Sequence, residues 1–90
     1  MQLKKYLGRL QLMHEFISKE NTGTPVQFCK KIGIKRTALN TALTFIRRSG
    51  IPLKYDRLEH TYFYVIDENE EVSFQCGFNI VKKKKIDSSN

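Results

Sequence analysis

The feature that most constrains this chain is a short helix marked at both ends, Thr24-Pro25-Val26-Gln27 through Gly33. Thr24 is an N-cap residue, Pro25 suits the first helical position, and Gln27, three residues past the cap, completes a capping box. Gly33 closes the helix, because glycine enters the left-handed C-cap conformation without steric cost. The helix is therefore about eight residues long, with Phe28, Cys29 and Ile32 as its buried stripe. Any fold for this chain has to hold that short element between its two neighbours.

The neighbours are also legible. Leu7, Leu10, Met13 and Ile17 recur at helical spacing, with Leu3, Tyr6 and Phe16 widening the stripe, which predicts a helix over 3–20. Lys4, Lys5, Arg9, Glu15 and Lys19 lie mostly off that stripe, and Asn21-Thr22-Gly23 breaks the helix. Reading it as a basic amphipathic membrane helix would strip the remaining core of its cover. A third helix spans 36–48: Leu39, Leu43 and Ile46 share one face with Ala42 beside them, and Gly50 and Pro52 stop it. The opposite face holds Thr37, Thr41, Thr44 and Arg48, flanked by Asn40. The start of this helix is less sharply marked. Lys35 is a poor N-cap, and Thr37 would serve two residues later.

Beyond Pro52 the period changes from helical to alternating. Leu53 and Tyr55, then Tyr62 and Tyr64, mark two short strands around the turn Asp56-Arg57-Leu58-Glu59-His60. After the acidic break 67–70, Val72, Phe74, Cys76 and Phe78 alternate with small or polar residues, which predicts a third strand with one buried face. The expected class is thus α+β, mainly helical: three helices, a β-hairpin and a third short strand over 1–81. A basic, disordered tail follows over 82–90.

Ninety residues allow one domain, with no room for a separate catalytic one. Sixteen Lys and Arg against nine Asp and Glu give +7, which points to a polyanionic partner, nucleic acid or an anionic membrane surface. The charge is uneven: residues 30–57 hold eight basic side chains and the single acid Asp56, whereas 61–81 hold four acids and no Lys or Arg. A binding surface is expected mid-chain. No apolar run approaches a membrane span, and the basic N-terminus lacks the features of a signal peptide. Cys29 and Cys76 make neither a disulfide framework nor a zinc site, which fits a reduced, cytoplasmic protein. His14 and His60 sit on different elements with no convergent carboxylate, so no metal is expected. Without a nucleophile triad, a phosphate loop or paired carboxylates, neither enzymatic activity nor a cofactor is expected.

Two short helices joined by a tight glycine turn resemble the helix-turn-helix. Counting Pro25 as first in a twenty-residue motif places small Cys29 fifth, where two helices nearly touch, and Gly33 ninth, at the turn. Phe28, Ile32, Ile34 and Leu39 fall at apolar positions. With a hairpin directly after, the chain resembles the winged helix-turn-helix of small bacterial DNA-binding proteins and of the N-terminal modules of deoxyribose-operon-repressor-type regulators. The resembling stretch is 22–65, half the chain, most specifically T-G-T-P, I-G-I-K-R-T, G-I-P-L-K-Y-D-R and T-Y-F-Y. With LGRLQLMHEFI before it and the late strand after, it covers about 80 residues. The resemblance implies that 36–48 is a recognition helix for the major groove of double-stranded DNA and that 53–65 is the wing. Lys35 departs from the family, which usually has Ser or Thr there. No sensor segment follows the wing, so no small-molecule effector is expected.

The candidate DNA-binding residues follow. Arg36 and Thr37 open the helix, and Lys35 before them can touch a phosphate. Asn40 can pair with adenine, and Thr41 can meet a thymine methyl. Thr44, Arg47 and Arg48, further along, suit phosphate contact or plain solvation rather than base readout. In the wing, Lys54, Arg57 and His60 suit phosphates or the minor groove. Tyr55, Tyr62 and Tyr64 are expected to close the core under the third helix. Phe45, Phe63 and Val65 are apolar without an obvious core partner, either scattered exposure or a homodimer surface. The main alternative to a transcription regulator is a winged-helix module that binds another protein.

Overall fold

In a computed structural model, residues 2–74 and 77–82 are described, with side chains described from Leu7 onward. Three helices come first: α1 (Gln2–Ser18), α2 (Pro25–Ile32) and α3 (Arg36–Arg48). Four strands follow: β1 (Leu53–Asp56), β2 (Thr61–Tyr64), β3 (Glu70–Phe74) and β4 (Phe78–Lys82). They form two separate antiparallel hairpins, β1–β2 and β3–β4. The class is α+β, three helices and then strands. No helix among the described residues is long and apolar enough to cross a membrane.

The capping box of α2 is fully formed. Thr24 Oγ1 accepts from the Gln27 amide at 3.2 Å, and Gln27 Oε1 accepts from the Thr24 amide at 2.9 Å. At the other end Gly33 is left-handed, at φ 69° and ψ 43°, and the Ile34 amide donates back to the Cys29 carbonyl at 3.0 Å. This turn sets the angle between α2 and α3. A Cβ on Gly33 would meet nothing within 4 Å, so the cost of a side chain there is purely conformational. Gly33→Val forces a β-branched residue to positive φ and is expected to destabilise the fold by about 1–3 kcal/mol. Urea unfolding measures it; an unchanged midpoint would remove Gly33 from the account of the turn.

The helical stripes meet in one core. Leu10, Met13 and Ile17 of α1, Phe28 and Cys29 of α2, and Leu39, Ala42, Leu43 and Ile46 of α3 are buried together. Ile51, Leu53, Tyr62, Val72 and Phe78 close it from the strand side. Tyr55 and Tyr64 pack against it half-buried, so all three tyrosines join the core, Tyr64 beside His14 of α1. α1 ends at Ser18, two residues before the expected boundary. α3 begins at Arg36 with Lys35 as its N-cap, which settles the start in favour of the earlier position.

The third strand expected across 72–78 is instead a hairpin. Phe74 pairs with Phe78 and Val72 with Ile80. The difference has a geometric cause. In this register the paired positions always differ by an even count. Residues 72, 74, 78 and 80 therefore keep one parity through the reversal, and a two-residue period cannot tell a strand from two folded arms. The basic run assigned to the tail begins inside this hairpin, because Lys82 pairs with Glu70 at the end of β4. The rest of the expected tail, 83–90, lies outside the described residues, as do Cys76 and the side chains of Leu3 and Tyr6.

Candidate nucleic-acid interface

Half of α3 faces solvent. At 100° per residue, Arg36, Arg47, Asn40, Thr44, Thr37, Arg48, Thr41 and Phe45 follow one another around about 180° of arc, and all eight are exposed. The buried residues Ala42, Ile46, Leu39 and Leu43 fill most of the remainder. The helix carries three arginines and no acid. Asn40, Thr41, Thr44, Phe45 and Arg48 line one shallow depression along it.

The start of α3 is electropositive for two reasons. Lys35 makes no side-chain cap and the first turn holds no acid, so the positive end of the helix dipole is not offset locally. Arg36 adds charge at the same end. Cations there oppose the dipole and cost folding energy, while an anion would gain from both. Lys35 and Thr37 also line a groove with Arg9 of α1 and Lys30 of α2, together with Val26, Cys29, Ile34 and Ala38. Arg9 and Lys30 were not singled out in the sequence. Nothing in their local pattern separates them from solubilising charges, and only the packing of α1 on α2 brings them to this end of α3.

The expected residues are not all equally available. Arg47 Nε donates to the Leu53 carbonyl at 3.2 Å, which ties the last turn of α3 to the first strand of the hairpin. Arg36 and Arg47 lie on the edge of α3 nearest that hairpin. Burial pushes the Tyr62 phenol up, and both guanidinium groups pull it partly back. Lys31, not a candidate, is engaged in holding the fold: its Nζ donates to the Asn21 carbonyl at 2.9 Å and sits 5.6 Å from the Phe16 ring centroid.

In the hairpin, Lys54, Arg57 and His60 are exposed as expected. His60 adopts positive φ, 54°, to close the turn. Asp56 Oδ1 accepts from the Leu58 and Glu59 amides at 2.9 and 3.2 Å, which fixes the loop. A buried clasp holds the root. The Thr22 amide donates to Thr61 Oγ1 at 3.2 Å, and the Tyr62 amide donates to Thr22 Oγ1 at 2.9 Å. Each hydroxyl in turn donates to a carbonyl, Thr22 to Gly23 and Thr61 to Tyr62. The α1–α2 loop and β2 are thereby locked together. Of the three apolar residues set outside the expected core, Phe45 and Val65 are exposed and Phe63 is half-buried beside Lys54.

His14 lies elsewhere, on α1 in a cleft with Tyr64, Asp67, Glu70 and Glu71. Its Nδ1 is 3.0 Å from the Tyr64 hydroxyl and 3.4 Å from Ser18 Oγ, and the ring meets Phe78 edge-on. Burial keeps the Tyr64 phenol protonated well above its ordinary range. Burial also lowers the His14 pKa below its ordinary 6.5, against the pull of Glu15 and Glu71. The folded chain therefore binds fewer protons than the unfolded one just below pH 6.5. The stability His14 contributes is full above that value and is lost as pH falls toward the folded pKa. Thermal midpoints should drop between pH 7.5 and 5.5, and His14→Gln should flatten the drop; a variant that tracks wild type throughout would exclude His14 as the source.

Among the described residues no group of three His, Cys, Asp or Glu is placed to hold a metal ion. Compared with protein-family models, curated proteins and solved structures, the chain matches none.

Proposed function

We propose that this chain is a winged helix-turn-helix protein that binds duplex DNA and regulates transcription by occupying its site, without catalysis. In this reading α2, the Gly33 turn and α3 form the helix-turn-helix, α3 enters the major groove, α2 lies across it, and β1–β2 is the wing. One observation carries it: the exposed half of α3 has three arginines, Asn40 and three threonines, and no acid. The dimensions agree. Thirteen residues make a rod about 20 Å long, and a helix fits a groove about 12 Å wide. Thr37, Asn40 and Thr41 would meet base edges, and Lys35, Arg36, Thr44 and Arg48 would meet phosphates.

A duplex recovered from a random-sequence pool tests the reading. Asn40→Ala should weaken that duplex by about 1–3 kcal/mol, traced to one base pair, and a scrambled duplex much less. Equal losses on both would take Asn40 out of base readout. A second reading, a winged-helix module that binds a protein or a second copy of itself, is favoured by Phe45, 40% exposed at the far edge of the same face. Failure to bind any duplex at low salt would give the surface to that reading.

A further inference from the structure

The apex of the β1–β2 hairpin carries a leucine. Leu58 is 89% exposed, far beyond any other large apolar residue described; the next, Val26, is at 55%. It is also held in place. Its amide is bonded to Asp56 Oδ1, His60 closes the turn in the left-handed region, and Thr61 at the base is locked to Thr22. Turns of this kind favour polar residues, and a polar side chain would fit this one without presenting apolar surface to water. The charges of the hairpin give it little grip on a polyanion. Lys54 and Arg57 are balanced by Asp56 and Glu59. What the apex offers a duplex is shape and apolar surface.

We propose that Leu58 is an apolar wedge that inserts between base pairs from the minor groove and opens one step while α3 occupies the major groove. The proposal rests on the DNA reading above and changes the role of the wing within it, from a phosphate or minor-groove contact through Lys54, Arg57 and His60 to a deforming contact through Leu58. Apolar wedges on minor-groove proteins partly unstack a base step and kink the duplex. A rigid apex suits that role, because little ordering remains to be done on binding. Flexible pyrimidine–purine steps would be favoured where the apex lands, which would add sequence preference at a position without hydrogen-bonded readout.

The test uses the full chain and a selected duplex with 2-aminopurine substituted at successive positions across the site. Wild type should raise the fluorescence at one step and shorten the end-to-end distance read by energy transfer. Leu58→Ala should abolish both signals and weaken binding about tenfold, and Leu58→Met should retain both. Circular dichroism verifies that each variant is folded. Unchanged signals in Leu58→Ala, with binding intact, would overturn the wedge and leave the DNA reading standing. Loss of Leu58→Ala binding to anionic vesicles, with its duplex signals unchanged, would assign the apex to a membrane and overturn the wedge as well. Absence of wild-type binding to any duplex would overturn the DNA reading and the wedge together.

Discussion

Phe28→Ala is expected to destabilise the fold by about 3–5 kcal/mol, the cost of a large-to-small change in a closed core. Phe28 is fully buried on α2. Its ring meets Phe16 of α1 edge-on at 6.1 Å and Tyr62 of β2 at 5.8 Å between centroids. The side chain thus joins the first helix, the short second helix and the first hairpin. Removing it opens a cavity that three elements would have to collapse into. Their freedom to do so is small, because the Thr22–Thr61 clasp fixes the loop before α2 against β2. A domain of this size has about 5–15 kcal/mol at most to lose, and a small one sits low in that range. Chemical denaturation should show a large fall in midpoint or a chain unfolded without denaturant. A shift below about 1 kcal/mol would mean that Phe28 is not at the centre of the core.

The elements were legible wherever a local signal fixed them. Thr24, Pro25, Gln27 and Gly33 bounded α2 on both sides, since caps act over three or four residues. The stripe Leu39, Leu43, Ile46 gave α3 its buried face and, by subtraction, the polar face now proposed as the interface. The β3–β4 hairpin was not legible because the pattern of Val72, Phe74 and Phe78 is symmetric about its own turn. The Thr22–Thr61 clasp was not legible either. Two threonines 39 residues apart look like ordinary surface residues until the fold buries both.

The same distinction runs through the candidate site. Thr37, Asn40, Thr41, Thr44 and Arg48 share a face because one helix carries them, and helical spacing alone showed it. Arg9 and Lys30 join Lys35 and Thr37 only through packing between helices, which no local pattern encodes. Arg47 is expected from the sequence at a phosphate or in plain solvent, and local pattern gives no sign that its Nε is held by the Leu53 carbonyl. The wing was read from its basic residues Lys54, Arg57 and His60. Its structure gives equal weight to Asp56, which fixes the turn, and to Leu58, which the turn displays.

The central claim is that the exposed face of α3 grips duplex DNA through its charge. Lys35→Ala, Arg36→Ala and Arg48→Ala, combined in one chain, remove three exposed cations and leave the buried stripe, Arg47 and the wing intact. Each phosphate neutralised contributes about 0.9 to the slope of log K against log salt, so the three together should flatten the slope by about 2.7. At 0.1 M salt, one decade below 1 M, that difference amounts to about 500-fold in affinity, about 3.7 kcal/mol. The variant should remain folded, since none of the three side chains is buried. The deciding measurement is a set of duplex-binding isotherms at salt concentrations from 0.05 to about 0.3 M, for wild type and the triple variant. The DNA reading predicts a steep wild-type slope that becomes shallower by about 2.7 in the variant, with the lines converging toward high salt. Parallel lines of equal affinity would contradict it, and the face of α3 would no longer be the DNA-binding surface.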